Sequence, residues 1–118
     1  MTEPERLYAL KTVASLVARC QRAQPKFAQG TPQHTLLKNR IQALQIAQAL
    51  LAGGRAEPYS APQLRAALEP LASVMRKCEK ARAKYAPGSG QYSRFNGTIQ
   101  AMALAQTFIE NELLRRLA

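Results

Sequence analysis

Two stretches of this chain gather cations beside rings, the residue types that hold phosphates and stack on bases. The first carries Arg19, Arg22, Lys26, Lys38 and Arg40 with no acid among them. The second carries Arg76, Lys77, Lys80, Arg82, Lys84 and Arg94 against the single acid Glu79. Phe27, His34, Tyr85 and Tyr92 lie within the same stretches. Guanidinium and ammonium groups neutralise backbone phosphates and release counterions, and an aromatic face stacks on any base. The mixture suits RNA, or single-stranded or structured DNA. No recognition-helix or zinc-finger pattern points to a reader of the major groove.

Outside these stretches six basic and six acidic residues cancel, so the net charge of +10 belongs to the two stretches alone. Cations are favoured at helix C-termini by the helix dipole, which accounts for Arg22, Lys26, Lys80 and Lys84 individually. It does not account for Lys38, Arg40 and Arg94, which fall near the starts of helices, where the dipole prefers acids. The same patch also fits an acidic protein surface, as an accessory subunit or inhibitor of a nucleic-acid machine presents. Phe27 and Tyr85 admit a second use, plugging the end of a helical core.

Other chemistry finds little to work with. The one histidine, His34, stands at a helix start, and no serine, cysteine or carboxylate is spaced to form a nucleophile–base pair with it. Cys20 and Cys78 sit among apolar residues and read as small reduced core residues. No CxxC, HxxxH or carboxylate cluster has metal-ligand spacing. The expectation is a non-enzymatic protein with no cofactor and no metal.

The elements that position these residues follow from an internal repeat. Shifted by 58 residues, Thr2 to Leu51 overlies Ser60 to Ile109 without a gap. Ala14-Ser15 falls on Ala72-Ser73, Cys20 on Cys78, Lys26-Phe27-Ala28 on Lys84-Tyr85-Ala86, and Gly30 on Gly88. Residues 2–53 and 60–117 are therefore two copies of one unit within a single domain, 1–118.

Each unit reads as a helical hairpin. Thr2-Glu3-Pro4-Glu5 and Ser60-Ala61-Pro62-Gln63 are capping boxes with proline in the first turn. Leu7, Leu10, Val13, Val17 and Cys20 recur at three- and four-residue steps, as do Leu64, Leu68, Leu71, Val74 and Cys78. Pro25 ends the first helix; its copy is expected to run to about Tyr85. Thr31 and Ser89 cap the second helices. Their stripes are Leu37, Ile41, Leu44, Ala47 and Leu51, and Phe95, Ile99, Met102, Ala105 and Ile109, continued by Leu113 and Leu117. Asn96-Gly97 is expected to weaken or kink the last helix. Gln48 and Gln106 border the stripes at equal heights and are candidates for a paired polar layer.

Two such hairpins make an all-α antiparallel up-down-up-down four-helix bundle, with both basic loops at one pole. An open pair of hairpins that completes its core by dimerising is the other arrangement. No apolar run reaches the roughly 18 residues needed to cross a bilayer, and the N-terminus lacks a basic region followed by an apolar one. A cytoplasmic protein, monomer or homodimer, is expected, with nucleic acid or an acidic protein as partner and no membrane.

Overall fold

The computed structural model of the chain describes residues 2–118, which form four α-helices and no strand. α1 is Glu3–Ala23, α2 Pro32–Leu51, α3 Ala61–Arg82 and α4 Gly90–Leu117, and a 3-10 turn, Gln24–Lys26, follows α1. Every helix opens on a hydroxyl. The side chains of Thr2, Thr31, Ser60 and Ser89 accept the backbone N–H groups of Glu5, His34, Gln63 and Tyr92, amides that lack intrahelical partners. Ser60 completes its box, since Gln63 Oε1 accepts the Ser60 N–H at 2.7 Å. At Thr2 only the first half of the box forms.

The turns that join α1 to α2 and α3 to α4 close alike. Thr31 N–H donates to the Ala28 carbonyl and Ser89 N–H to the Ala86 carbonyl. Gly30 and Gly88 supply the left-handed conformation just before each cap, with φ of 85° and 93°. α2 ends in a Schellman motif, with Gly54 N–H on the Ala49 carbonyl and Gly53 N–H on the Leu50 carbonyl. α3 stops at Arg82, short of Tyr85. Its chain tightens there, with Lys84 and Tyr85 N–H groups bonding only three residues back, to Ala81 and Arg82.

One core holds the helices together. Val13, Leu44, Leu51, Leu64, Leu71, Met102 and Ile109 are its largest fully buried side chains. α2 packs against α1, α3 and α4, whereas α1 and α3 do not touch. That central place widens the buried face of α2 beyond the expected stripe, adding Ala43, Ile46 and Leu50. α1, with fewer neighbours, buries Ala9 and leaves Leu7 52% exposed. The buried face of α4 is Thr98, Ala101, Met102, Ala105 and Ile109, and Leu117 at its end is 83% exposed. Positions 58 residues apart share their burial at Ala9 and Ala67, Val13 and Leu71, Leu44 and Met102, and Leu51 and Ile109.

The molecule is a slab of 44 × 41 × 19 Å. α4, with 28 residues at about 1.5 Å each, accounts for one long dimension. Four side-by-side helices with axes about 8–10 Å apart, packed two deep, would be far narrower in the second dimension. The helices therefore fan across one another. Gly97 marks one crossing, since a Cβ placed there would collide with the Tyr8 hydroxyl of α1. The glycine admits a tyrosine from the second turn of α1 against the third turn of α4. Around it α4 is one helix from Gly90 to Leu117, so Asn96-Gly97 does not divide it.

Two polar details bear on register. Gln48 and Gln106 do not bond to each other; Gln106 Nε2 instead donates to the Leu68 carbonyl of α3 at 3.4 Å. α3 also runs through Pro70, which lacks the N–H that the Ala66 carbonyl would accept. Among the described residues no helix is long and apolar enough to cross a membrane.

Candidate functional site

The two ends of the charge map are built differently. Around the start of α1 and the end of α4, Arg6, Arg115 and Arg116 are bound to backbone and acids. Arg6 Nη1 donates to the Leu51 carbonyl at 2.6 Å and Arg116 Nη2 to the Ala56 carbonyl at 2.7 Å. Arg6 pairs with Glu3, and Arg115 and Arg116 share Glu112. The Glu112 carboxyl is held below the usual carboxylate range by its hydrogen bond to Arg115, burial opposing, with Arg116 adding to the lowering. Arg6 lowers Glu3 in the same way.

The two basic stretches have no such partners. Among the described residues only Arg76 of their eleven cations forms an ion pair, with Glu69. Arg19, Arg22, Lys26, Lys38, Lys77, Lys80, Lys84 and Arg94 are exposed. Arg40 and Arg82 are half-buried and bond to neutral groups, Arg40 to Ser73 Oγ at 3.4 Å and Arg82 Nη1 to Asn96 Oδ1 at 2.8 Å. Unpaired lysines and arginines remain hydrated and available to an anion, whereas a paired one must first exchange its carboxylate.

The rings divide between packing and exposure. Tyr85 is 40% exposed and lies over Phe95, with centroids 6.0 Å apart. Phe27 is also 40% exposed, so neither ring is a buried plug of the core. Tyr92 is half-buried beneath Arg82, whose guanidinium carbon sits 5.5 Å from the ring centroid. His34 is half-buried in the first turn of α2. Tyr85, Phe95, Arg82, Tyr92 and Asn96 thus form one polar–aromatic cluster where α3 meets α4. Phe95 and Asn96 were not among the residues singled out by charge and ring type; the α3–α4 turn is what brings them in.

Where α2 packs on α3, the first stretch reaches the helix that carries the second. Arg40 reaches Ser73, and Arg19 and Arg40 both act on the Cys78 thiol. Burial raises the Cys78 pKa above its ordinary value of 9.0, and the two arginines partly oppose this. Cys20 and Cys78 are free thiols on helices that do not touch. The sign of the shift gives a prediction. A raised native pKa favours the neutral thiol, so its stabilisation is complete below pH 9.0 and is lost as pH rises through the native value. Urea unfolding followed across the alkaline range should show wild type losing stability relative to Cys78→Ala. Parallel curves would refute this.

A groove of about 600 Å³ lies between α2 and α3, with Ala43, Ala66 and Ala67 among its apolar lining and Asn39, Gln42, Gln45 and Gln63 as its carboxamides. Neither stripe periodicity nor charge points to it, because it exists only where α2 crosses α3. Its one carboxylate, Glu69, is engaged by Arg76. Among the described residues no three His, Cys, Asp or Glu side chains gather as metal ligands.

Comparison with family models, curated proteins and solved structures returns no match for this chain. The reading of the site therefore rests on its own chemistry.

Proposed function

We propose that this chain is a non-enzymatic nucleic-acid-binding protein built from two tandem antiparallel helical hairpins. It grips backbone phosphates of RNA, or of single-stranded or structured DNA, with the two basic stretches and has little sequence readout. The observation that carries the reading is the contrast in partners. Outside the stretches three of six cations, Arg6, Arg115 and Arg116, are paired with acids, while ten of the eleven cations in the stretches have no acidic partner among the described residues. Tandem duplication is supported by the gapless 58-residue match, the two alike turns and the shared burial of equivalent positions. The antiparallel run of each hairpin is supported by Arg6 reaching Leu51 and Arg82 reaching Asn96.

In this reading Arg19, Arg22, Lys26, Lys38, Arg40, Arg76, Lys77, Lys80, Arg82, Lys84 and Arg94 contact or steer phosphates. His34, Tyr85 and Tyr92 offer faces to bases. Fluorescence anisotropy with a labelled single-stranded oligonucleotide tests it. Four to six phosphate contacts give a log–log salt slope on the order of −3 to −5. Binding to polyglutamate but to no nucleic acid at low salt would replace the reading with an acidic-protein partner.

A further inference from the structure

The turn between α3 and α4 carries an arrangement that the turn between α1 and α2 lacks. Tyr85 is 40% exposed, and its ring lies over the half-buried Phe95 of α4, with centroids 6.0 Å apart and planes inclined by 25°. Its backbone is fixed as well, because the Tyr85 N–H donates to the Arg82 carbonyl at 3.1 Å. Arg82 is held at two points. Its Nη1 donates to Asn96 Oδ1 at 2.8 Å, and its guanidinium carbon lies 5.5 Å from the centroid of the Tyr92 ring. Among the described residues no acid pairs with it. Lys80 and Lys84 flank it in sequence and are exposed.

The first unit folds its turn in the same way without these side chains. At the places 58 residues earlier stand Gln24, Phe27, His34, Leu37 and Lys38 for Arg82, Tyr85, Tyr92, Phe95 and Asn96. Leu37 packs against the core, and Phe27 is 40% exposed with no ring stacked on it among the described residues. The hairpin turn therefore does not require the cluster. What the cluster supplies is an exposed ring and a cation that are both held before any ligand arrives, so less side-chain freedom is lost on binding. A ring offers its face to any base, and a guanidinium offers its planar edge to phosphate oxygens. A carboxylate on an acidic protein would use the cations and leave the ring idle, so the pairing of the two favours a nucleotide.

We propose that Tyr85, backed by Phe95, is the platform on which one unpaired base of a bound strand stacks, and that Arg82, positioned by Asn96 and Tyr92, takes an adjacent phosphate. The proposal rests on the nucleic-acid reading above and narrows it, since the preorganised base contact belongs to the second unit alone. The two hairpins then divide the work, with the first adding phosphate contacts to a strand that the second also holds by a base.

The test compares two labelled single strands of about 12 nucleotides, one of deoxyadenosines and one whose sugars carry no bases. By anisotropy the wild type should prefer the base-bearing strand by at least about fivefold. Tyr85→Ala should weaken that strand by at least about fivefold and leave the abasic strand unchanged. Phe95→Leu, which gives the second unit the residue of the first, should lower the preference by about threefold, again with the abasic strand unchanged. Phe27→Ala should leave the preference as it is. Equal binding of both strands by the wild type, or a full preference in Tyr85→Ala, would overturn the platform and leave the phosphate reading standing. Equal losses on both strands in Tyr85→Ala would also overturn it, by making Tyr85 a structural residue. Absence of binding to either strand by the wild type at low salt would overturn both.

Discussion

The double variant Lys26→Glu, Lys84→Glu is expected to lose affinity for a single-stranded oligonucleotide by roughly hundredfold or more at about 0.1 M salt. Each phosphate contact to a single strand contributes about 0.7 logarithmic units at that salt, and reversal replaces an attraction with a repulsion of similar size. Each reversal also takes two units from a net charge of +10. Both lysines are exposed, neither has an ion-pair partner among the described residues, and both lie in turns that follow a first helix. Their structural contribution is confined to the helix dipole, about 0.3–1 kcal/mol each. Far-ultraviolet circular dichroism and the melting temperature should therefore stay close to wild type while anisotropy is lost. Retained binding in a folded double variant would move the interface away from these turns.

That variant tests the part of the molecule most legible in its sequence. The hydroxyl caps were readable because a lone Ser or Thr before proline or glycine has few other uses, and all four positions cap helices as expected. The fully buried positions Val13, Leu44, Leu71, Met102 and Ile109 were readable from period and repeat together. What the sequence could not convey was how one hairpin lies on the other. Periodicity reports which face of a helix is covered and says nothing of the angle at which its neighbour crosses. Leu7 belongs to the α1 stripe by spacing, yet it is 52% exposed while Ala9 is buried. Gly97 reads as a helix breaker by propensity, but it is a contact residue, and only the approach of Tyr8 reveals that. The groove between α2 and α3 and the approach of Arg40 to Ser73 belong to the same class of information. Both are products of the crossing.

The crossing also alters what the two basic stretches can do together. In aligned hairpins both turns would sit at one pole, and a ligand would meet them as a compact patch. In a slab of 44 × 41 × 19 Å the helices diverge, and Arg40 of the first stretch reaches Ser73 on the helix that carries the second.

A slab only two helices thick depends heavily on the helices that pack against all three others, α2 and α4, and Leu44→Ala measures that dependence for α2. Leu44 is fully buried on α2, which packs against each of the other three helices. Truncating such a leucine removes its transfer energy and leaves a cavity, about 2.7–5 kcal/mol in comparable cores. A domain of this size has about 5–15 kcal/mol in all, so the loss is a large fraction of the total. The melting temperature should fall by roughly 10 °C or more. Urea unfolding should keep its slope while the midpoint drops, because the exposed area on unfolding is nearly the same. Leu36→Ala, on the same helix but 45% exposed, is the matched control and should change stability by less than about 1 kcal/mol. Equal losses at the two positions would mean that the buried face of α2 does not anchor it in the core. In that case the crossing that brings Arg40 to Ser73 and Cys78 would lose its physical support as well.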